Sequence, residues 1–202
     1  MTISAWLIFA TFWAVFVTTP GPNAVNCVSV AMTRGFQKAV ICVLAILTQA
    51  CLFLALSAYG VTALLAASPT AFAVAKWLGA GFLIYLGIKG WITAGRDIPA
   101  TERDGRNIYI KALLIATINP KSVAGYFAAF TQFIQPDIPV LQQMWVIVPT
   151  ALTLTSLSYL GYCAIGAGLG RMALTAIMNI WLRRILSGCF VIYGILLGAF
   201  AR

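Results

Sequence analysis

Thr18-Thr19-Pro20-Gly21-Pro22-Asn23 and Thr117-Ile118-Asn119-Pro120-Lys121 interrupt two of the hydrophobic runs in this chain. A proline inside a helix removes a backbone N–H and strands a carbonyl. In lipid that defect is tolerated only where protein or a water-lined cavity satisfies the freed group again. Interrupted spans at corresponding positions of two half-molecules are the best sequence pointer to the substrate site of a membrane carrier. The two stretches therefore imply a polytopic membrane protein whose site lies between the breaks.

The rest of the composition agrees. The 202 residues are 62% hydrophobic and 8% charged, with a mean hydropathy of +0.97, whereas soluble domains carry roughly 25% charged residues. The expected fold class is an all-α integral membrane protein forming a single transmembrane domain over residues 1–202. A net charge of +9 raises the question of nucleic acid, but the 13 lysines and arginines punctuate the gaps between apolar runs and form no patch. They read as orientation signals against membrane lipid, with no nucleic-acid partner.

The chain has no histidine, which removes the usual general base, zinc ligand and proton switch together. Neither a metal nor a cofactor is expected, and the chain does not read as an enzyme. Five cysteines (Cys27, Cys42, Cys51, Cys163 and Cys189) are odd in number, contain no C-x-x-C pair and lie in apolar stretches. They read as small buried hydrophobes and not as a disulfide framework. The first twenty residues lack a basic n-region, so a cleaved signal peptide is not expected.

A crossing helix needs about 20 apolar residues, and six segments qualify: Ile3 to Met32 with the first break, Val40 to Ala66, Thr70 to Trp91, Ile108 to Phe133 with the second break, Met144 to Gly168, and Ile185 to Ala201. Arg34 and Lys38, then Arg96, Arg103, Arg106 and Lys111, then Arg171, Arg183 and Arg184 fall in alternate loops. The opposite side holds only Lys76, Arg202 and Asp137. The positive-inside rule makes the basic loops cytoplasmic and puts both termini outside. Six spans with two breaks suggest a three-plus-three repeat, with halves of about 1–95 and 106–202. Because three is odd, the second half enters the membrane inverted.

The candidate site residues follow from the breaks. Pro20 and Pro22 end one half-helix, Gly21 lets backbone approach closely, and Asn23 stands where an N-cap would start the next. Free N–H groups there favour a carboxylate. Asn26 shares a face with Asn23. Lys121 is the sharpest single residue, since a lysine at mid-span costs about 2.5–3.5 kcal/mol on insertion scales. It either holds a substrate carboxylate or hydrogen-bonds carbonyls freed by Pro20 and Pro22. Gln49 and Thr48 in the second span, Thr153, Thr155, Ser156 and Ser158 in the fifth, and Tyr126 one turn past Lys121 are further polar groups that line a cavity or join helices. Gly166-x-x-x-Gly170 and Gly194-x-x-x-Gly198 read as close-packing surfaces. Asp97, Glu102, Asp104 and Asp137 all lie in loops, so no relay of intramembrane carboxylates operates.

Taken with Gly35 after Arg34, the stretch Thr19-Pro20-Gly21-Pro22-Asn23 resembles the signature of the lysine exporter (LysE/RhtB) family of bacterial amino-acid efflux proteins. Gly79 to Lys89 resembles that family's third span, and Asn119-Pro120-Lys121 with Phe127, Gln132 and Phe133 its fourth. Arg183-Arg184 before Ser187-Gly188 resembles its last. The resemblance covers nearly the whole chain. It implies an inner-membrane exporter of amino acids or close derivatives, driven by the proton gradient, in which both broken motifs take part. Ala45 and Gln49 stand where the family often has glycine.

The expected function is alternating-access export of a small-molecule amino acid bound between the breaks. Its site comprises Thr19, Pro20, Gly21, Pro22, Asn23, Asn26, Gln49, Asn119, Pro120, Lys121 and Tyr126. Two other classes stay open: a membrane thiol-disulfide oxidoreductase or electron carrier, should Cys27 and Cys163 meet in space, and a channel-like subunit. A homo-oligomer is compatible with the sequence.

Overall fold

The computed structural model describes residues 2–96 and 107–199, and all regular structure among them is helical. The loop charges Asp97, Glu102, Arg103, Asp104 and Arg106, and the terminal Arg202, lie outside the described residues. The helices are α1 (Ile3–Thr18), α2 (Pro22–Arg34), α3 (Phe36–Ala67), α4 (Pro69–Ile92), α5 (Ile108–Ile118), α6 (Pro120–Phe133), α7 (Val140–Leu169), α8 (Arg171–Ile177) and α9 (Ile180–Ala199).

Local chemistry sets the ends. Ser68 accepts from the Thr70 N–H at 3.2 Å ahead of Pro69, and Asn107 accepts from the Tyr109 N–H at 2.9 Å. Asn179 accepts from the Trp181 and Leu182 N–H groups at 2.9 and 3.1 Å. Each of these side chains supplies an acceptor for first-turn donors that have no partner inside the helix. Gly35 (φ 82°) and Gly170 (φ 54°) link α2 to α3 and α7 to α8 in the left-handed region, where a side chain is strained.

Four helices, α3, α4, α7 and α9, are long and apolar enough to cross a membrane. The pair α1 and α2, bent by 56° at the first break, makes a fifth if counted as one span. The fourth predicted span is divided at Asn119 into the 11 residues of α5 and the 14 of α6. The loop expected between the fifth and sixth spans contains α8. Arg183 and Arg184, expected in that loop, lie in the first turns of α9, because Asn179 caps the helix earlier than the apolar run begins.

Packing follows small residues. A Cβ built at Gly194 in α9 meets the Ala80 carbonyl of α4 at 2.8 Å, and one at Gly87 in α4 meets the Ser187 carbonyl of α9 at 2.7 Å. The two helices thus lie backbone to backbone. Two apolar cores form on either side of the breaks. One gathers Phe9, Phe12, Trp13 and Phe16 of α1 with Tyr126, Phe130 and Phe133 of α6 and Phe190 of α9. The other gathers Ala24, Val25, Cys27 and Val28 of α2 with Cys42 and Ile46 of α3, Ala112 and Ala116 of α5, and Tyr159 and Cys163 of α7. The interrupted backbone lies at the seam.

Candidate functional site

The first break leaves carbonyls without helical partners, since a helix pairs each carbonyl with the N–H four residues on and Pro20 and Pro22 have none. Three side chains from other helices take up consecutive carbonyls. Ser158 Oγ donates to the Val17 carbonyl at 3.2 Å, Tyr162 OH to the Thr18 carbonyl at 2.5 Å, and Lys121 Nζ to the Thr19 carbonyl at 2.6 Å. The Val17, Thr18 and Thr19 carbonyls are therefore satisfied by α7 and by the second break itself.

At that second break Asn119 ends α5 and caps α6, its Oδ1 accepting from the Lys121 N–H at 3.1 Å, with Pro120 at the first helical position. This geometry aims the lysine side chain at the first break. Its ammonium also lies 5.2 Å from the centroid of the Phe16 ring, a cation–π contact that offsets part of its desolvation. The lysine stem packs alongside Gly21, where an added Cβ would lie 3.8 Å from Lys121 Cδ in ordinary van der Waals contact.

Between the breaks lies a cavity of about 20 Å³, room for about one water. Asn23, Gln49, Asn119, Lys121 and Tyr126 line it, together with Ser122, Thr155 and Tyr159. Lys121 is the one cationic side chain among its lining residues. Asn23 Oδ1 and Gln49 Nε2 are buried without a hydrogen-bond partner among the described residues. A buried unpaired acceptor and a buried unpaired donor in one small cavity are rare enough to require a reason. Together with the ammonium they match the polarity of a zwitterion: donors for a carboxylate and an acceptor for an ammonium.

The remaining predicted residues fall around this core. Pro20 is buried and Pro22 exposed at the bend, and Thr19 contributes its carbonyl. Asn26 points elsewhere, its Nδ2 donating to Cys42 Sγ at 3.6 Å. Asn23 is not the N-cap: Gly21 is, in extended conformation, and Asn23 occupies the first turn of α2. All five cysteines are free, and Cys27, Cys42 and Cys163 are buried in the same apolar core. No three His, Cys, Asp or Glu among the described residues are grouped to hold a metal.

Sequence reasoning missed Tyr159, Tyr162, Ser122 and Phe16. Tyrosines in an apolar run give no local sign of facing a helix break. The i, i+4 spacing of Ser158 and Tyr162 was the available signal, since it puts both hydroxyls on one face of α7.

Known proteins give the same direction. A family model described as LysE type translocator matches residues 14–201. An uncharacterized membrane protein of Vibrio cholerae is 32% identical over 85% of this chain and 85% of its own length. A homoserine/homoserine lactone efflux protein of Salmonella typhimurium is 29% identical over 82% of each chain. A leucine efflux protein of Salmonella choleraesuis is 29% identical over 74% of this chain and 73% of its own. No solved structure matches the chain.

Proposed function

This chain belongs to the LysE type translocator family, and on that footing we propose that it exports amino acids or close derivatives across the bacterial inner membrane as a secondary transporter. The observation that carries the reading is the cavity between the breaks, where Asn23 Oδ1 and Gln49 Nε2 stand unpartnered beside Lys121. The relatives named for homoserine and leucine efflux support an α-amino acid as the class of substrate.

The chemistry is an exchange of partners. A substrate carboxylate competes with the Thr19 carbonyl for Lys121 Nζ and takes a further bond from Gln49 Nε2. Because it carries a full charge, its hydrogen bonds to the ammonium are stronger than those of a carbonyl. The substrate ammonium donates to Asn23 Oδ1 and to the carbonyl that Lys121 has left. First-turn N–H groups of α2 add positive potential on the carboxylate side. Releasing Lys121 from Thr19 unties one break from the other, so binding favours a different bend at α1–α2. A cavity of about 20 Å³ cannot hold an amino acid, so loading requires the helices to part, as alternating access demands.

In this reading α5 and α6 together cross the membrane as a sixth span, inverted relative to α1–α2, and both termini face outward. Proton coupling runs without an intramembrane carboxylate, through Lys121 or the substrate's own amino group. Reconstitution tests the whole: purified protein in proteoliposomes should show saturable, gradient-dependent efflux of amino acids. Gradient-independent, non-saturable flux would mean a channel, and no flux of any amino acid would overturn the export reading.

A further inference from the structure

Tyr126 walls the polar cavity on one side and a second, larger cavity on the other. The second has a volume of about 420 Å³, within the roughly 300–1,000 Å³ of small-molecule sites. Phe53, Leu56 and Val61 of α3 face Val123, Phe127 and Phe130 of α6 across it, and no charged side chain lines it. Gly60 completes the α3 wall, and a Cβ built there meets nothing within 4 Å. The space is there partly because α3 carries no side chain at that position.

We propose that this cavity is the side-chain subsite of the transport site, so that the exported amino acid is one with a bulky apolar side chain. The proposal rests on the export reading above. The polar cavity offers donors and an acceptor but has room only for head-group atoms. Of its lining residues only Tyr126 also borders the larger void, so a side chain extending from the head group finds space in that direction. Tyr126 is held there by edge-on ring contacts, at 5.0 Å to Trp13 and 5.4 Å to Phe53 between centroids. Dispersive contacts of this kind can be exchanged for contacts with a substrate as the ring turns. A cationic side chain would find no carboxylate in the cavity, and a hydroxylated one would find only the side chains of Ser57 and Tyr126 as polar partners on an otherwise apolar wall. The cavity opens between Leu56 and Phe127, both exposed, which makes a lipid acyl chain or a second copy of this chain the competing occupant. Tyr126 is the one lining residue the two cavities share, and that adjacency favours the substrate.

The test is a ratio of transport efficiencies for leucine and alanine in proteoliposomes. The two share a head group and differ in the apolar carbons that the subsite would bury, a difference worth about tenfold or more in efficiency. The wild type should favour leucine by that factor, and Gly60→Phe, which fills the void, should lower the ratio at least as far. As a second measurement, Ser57→Cys is labelled with N-ethylmaleimide and the extent at residue 57 is read by mass spectrometry. Leucine should slow that labelling several-fold more than alanine does. An unchanged ratio in folded Gly60→Phe protein, or labelling that leucine does not slow, overturns the subsite and leaves the cavity to an acyl chain or a second copy. If Gly60→Phe does not fold, the labelling result decides alone. A wild type that moves other amino acids but not leucine also overturns the subsite, whereas a wild type that moves no amino acid at all overturns the export reading instead.

Discussion

Lys121 Nζ and the Thr19 carbonyl, 102 residues apart in the chain, meet at 2.6 Å and join the two helix breaks through one side chain. Each break alone is a defect in an apolar environment. The first lacks N–H groups for its carbonyls, and the second places an ammonium among aromatic rings. Brought together, the ammonium satisfies the carbonyl and the carbonyl solvates the ammonium. In the proposed export cycle this pair is where the substrate carboxylate would intervene, because the two groups are held by nothing stronger than a charged hydrogen bond.

Replacing Lys121 with methionine keeps the length of the stem and removes both charge and donor. A hydrogen bond to a charged group contributes about 1.5–3 kcal/mol, which converts to a loss of roughly ten- to a hundredfold in transport efficiency. The expected result is a protein that reaches the membrane and is nearly inactive in proteoliposome efflux. Wild-type efflux from folded Lys121→Met protein would leave Lys121 as a strut with no part in binding.

Tyr162 and Ser158 make a graded pair. The Tyr162 hydroxyl sits 2.5 Å from the Thr18 carbonyl and the Ser158 hydroxyl 3.2 Å from that of Val17. Tyr162→Phe leaves a carbonyl at the break without its donor, a loss of about 1–3 kcal/mol. Ser158→Ala removes the longer and weaker bond and should destabilise less. Thermal unfolding of the purified protein in detergent checks the order, and a larger effect at Ser158 would contradict the assignment of the Thr18 carbonyl to Tyr162.

The α4–α9 contact allows no side chain at Gly194, where a Cβ would stand 2.6 Å from Ile84 Cγ1 and 2.8 Å from the Ala80 carbonyl. Gly194→Val must push the helix backbones apart, and overpacking of this kind typically costs 1–3 kcal/mol or more. Gly161→Ala in α7 is the contrast: a Cβ there meets nothing within 4 Å, and alanine favours helix over glycine by about 0.8–1 kcal/mol. Yield of monodisperse protein should fall sharply for the first and hold or rise for the second.

The breaks were legible because backbone chemistry is local: Pro20 with Pro22, and Pro120 behind a capping asparagine, stop a helix whatever surrounds them. Pro149 shows the limit of that rule. α7 runs through it unbroken from Val140 to Leu169, since Val148 has no capping group and the turns on either side keep their own N–H donors. Lys121 was legible as expensive, but its partner was not, because the choice between a ligand and the Thr19 carbonyl depends on how α6 meets α1. The same holds for Tyr159 and Tyr162, whose role comes from the register of α7 against the bend. Gln143 went unread altogether: it bonds the Gln135 N–H and carbonyl at 2.9 Å and the Ile138 carbonyl at 2.8 Å, stitching the turn before α7 to that helix. Neighbours that close a turn from five or eight residues away leave no periodic mark in the sequence.

Gln49 separates a structural from a functional origin for the unpaired groups in the cavity. It is 1% exposed, and its Nε2 has no partner among the described residues. A buried donor left unsatisfied destabilises a fold by about 1–3 kcal/mol, so a residue kept only for packing would do better as leucine. Gln49→Leu should therefore raise the midpoint of thermal unfolding, since it replaces an unpaired amide with an apolar group of similar size. If Nε2 instead waits for a substrate carboxylate, the same substitution should lower transport efficiency by about tenfold, the equivalent of one hydrogen bond of about 1.4 kcal/mol. The two measurements together decide the matter. A more stable and less active variant is the signature of a binding group that the unloaded protein leaves unpaired. A variant equally active and more stable would remove Gln49 from the site and leave Lys121 and Asn23 to recognise the head group alone.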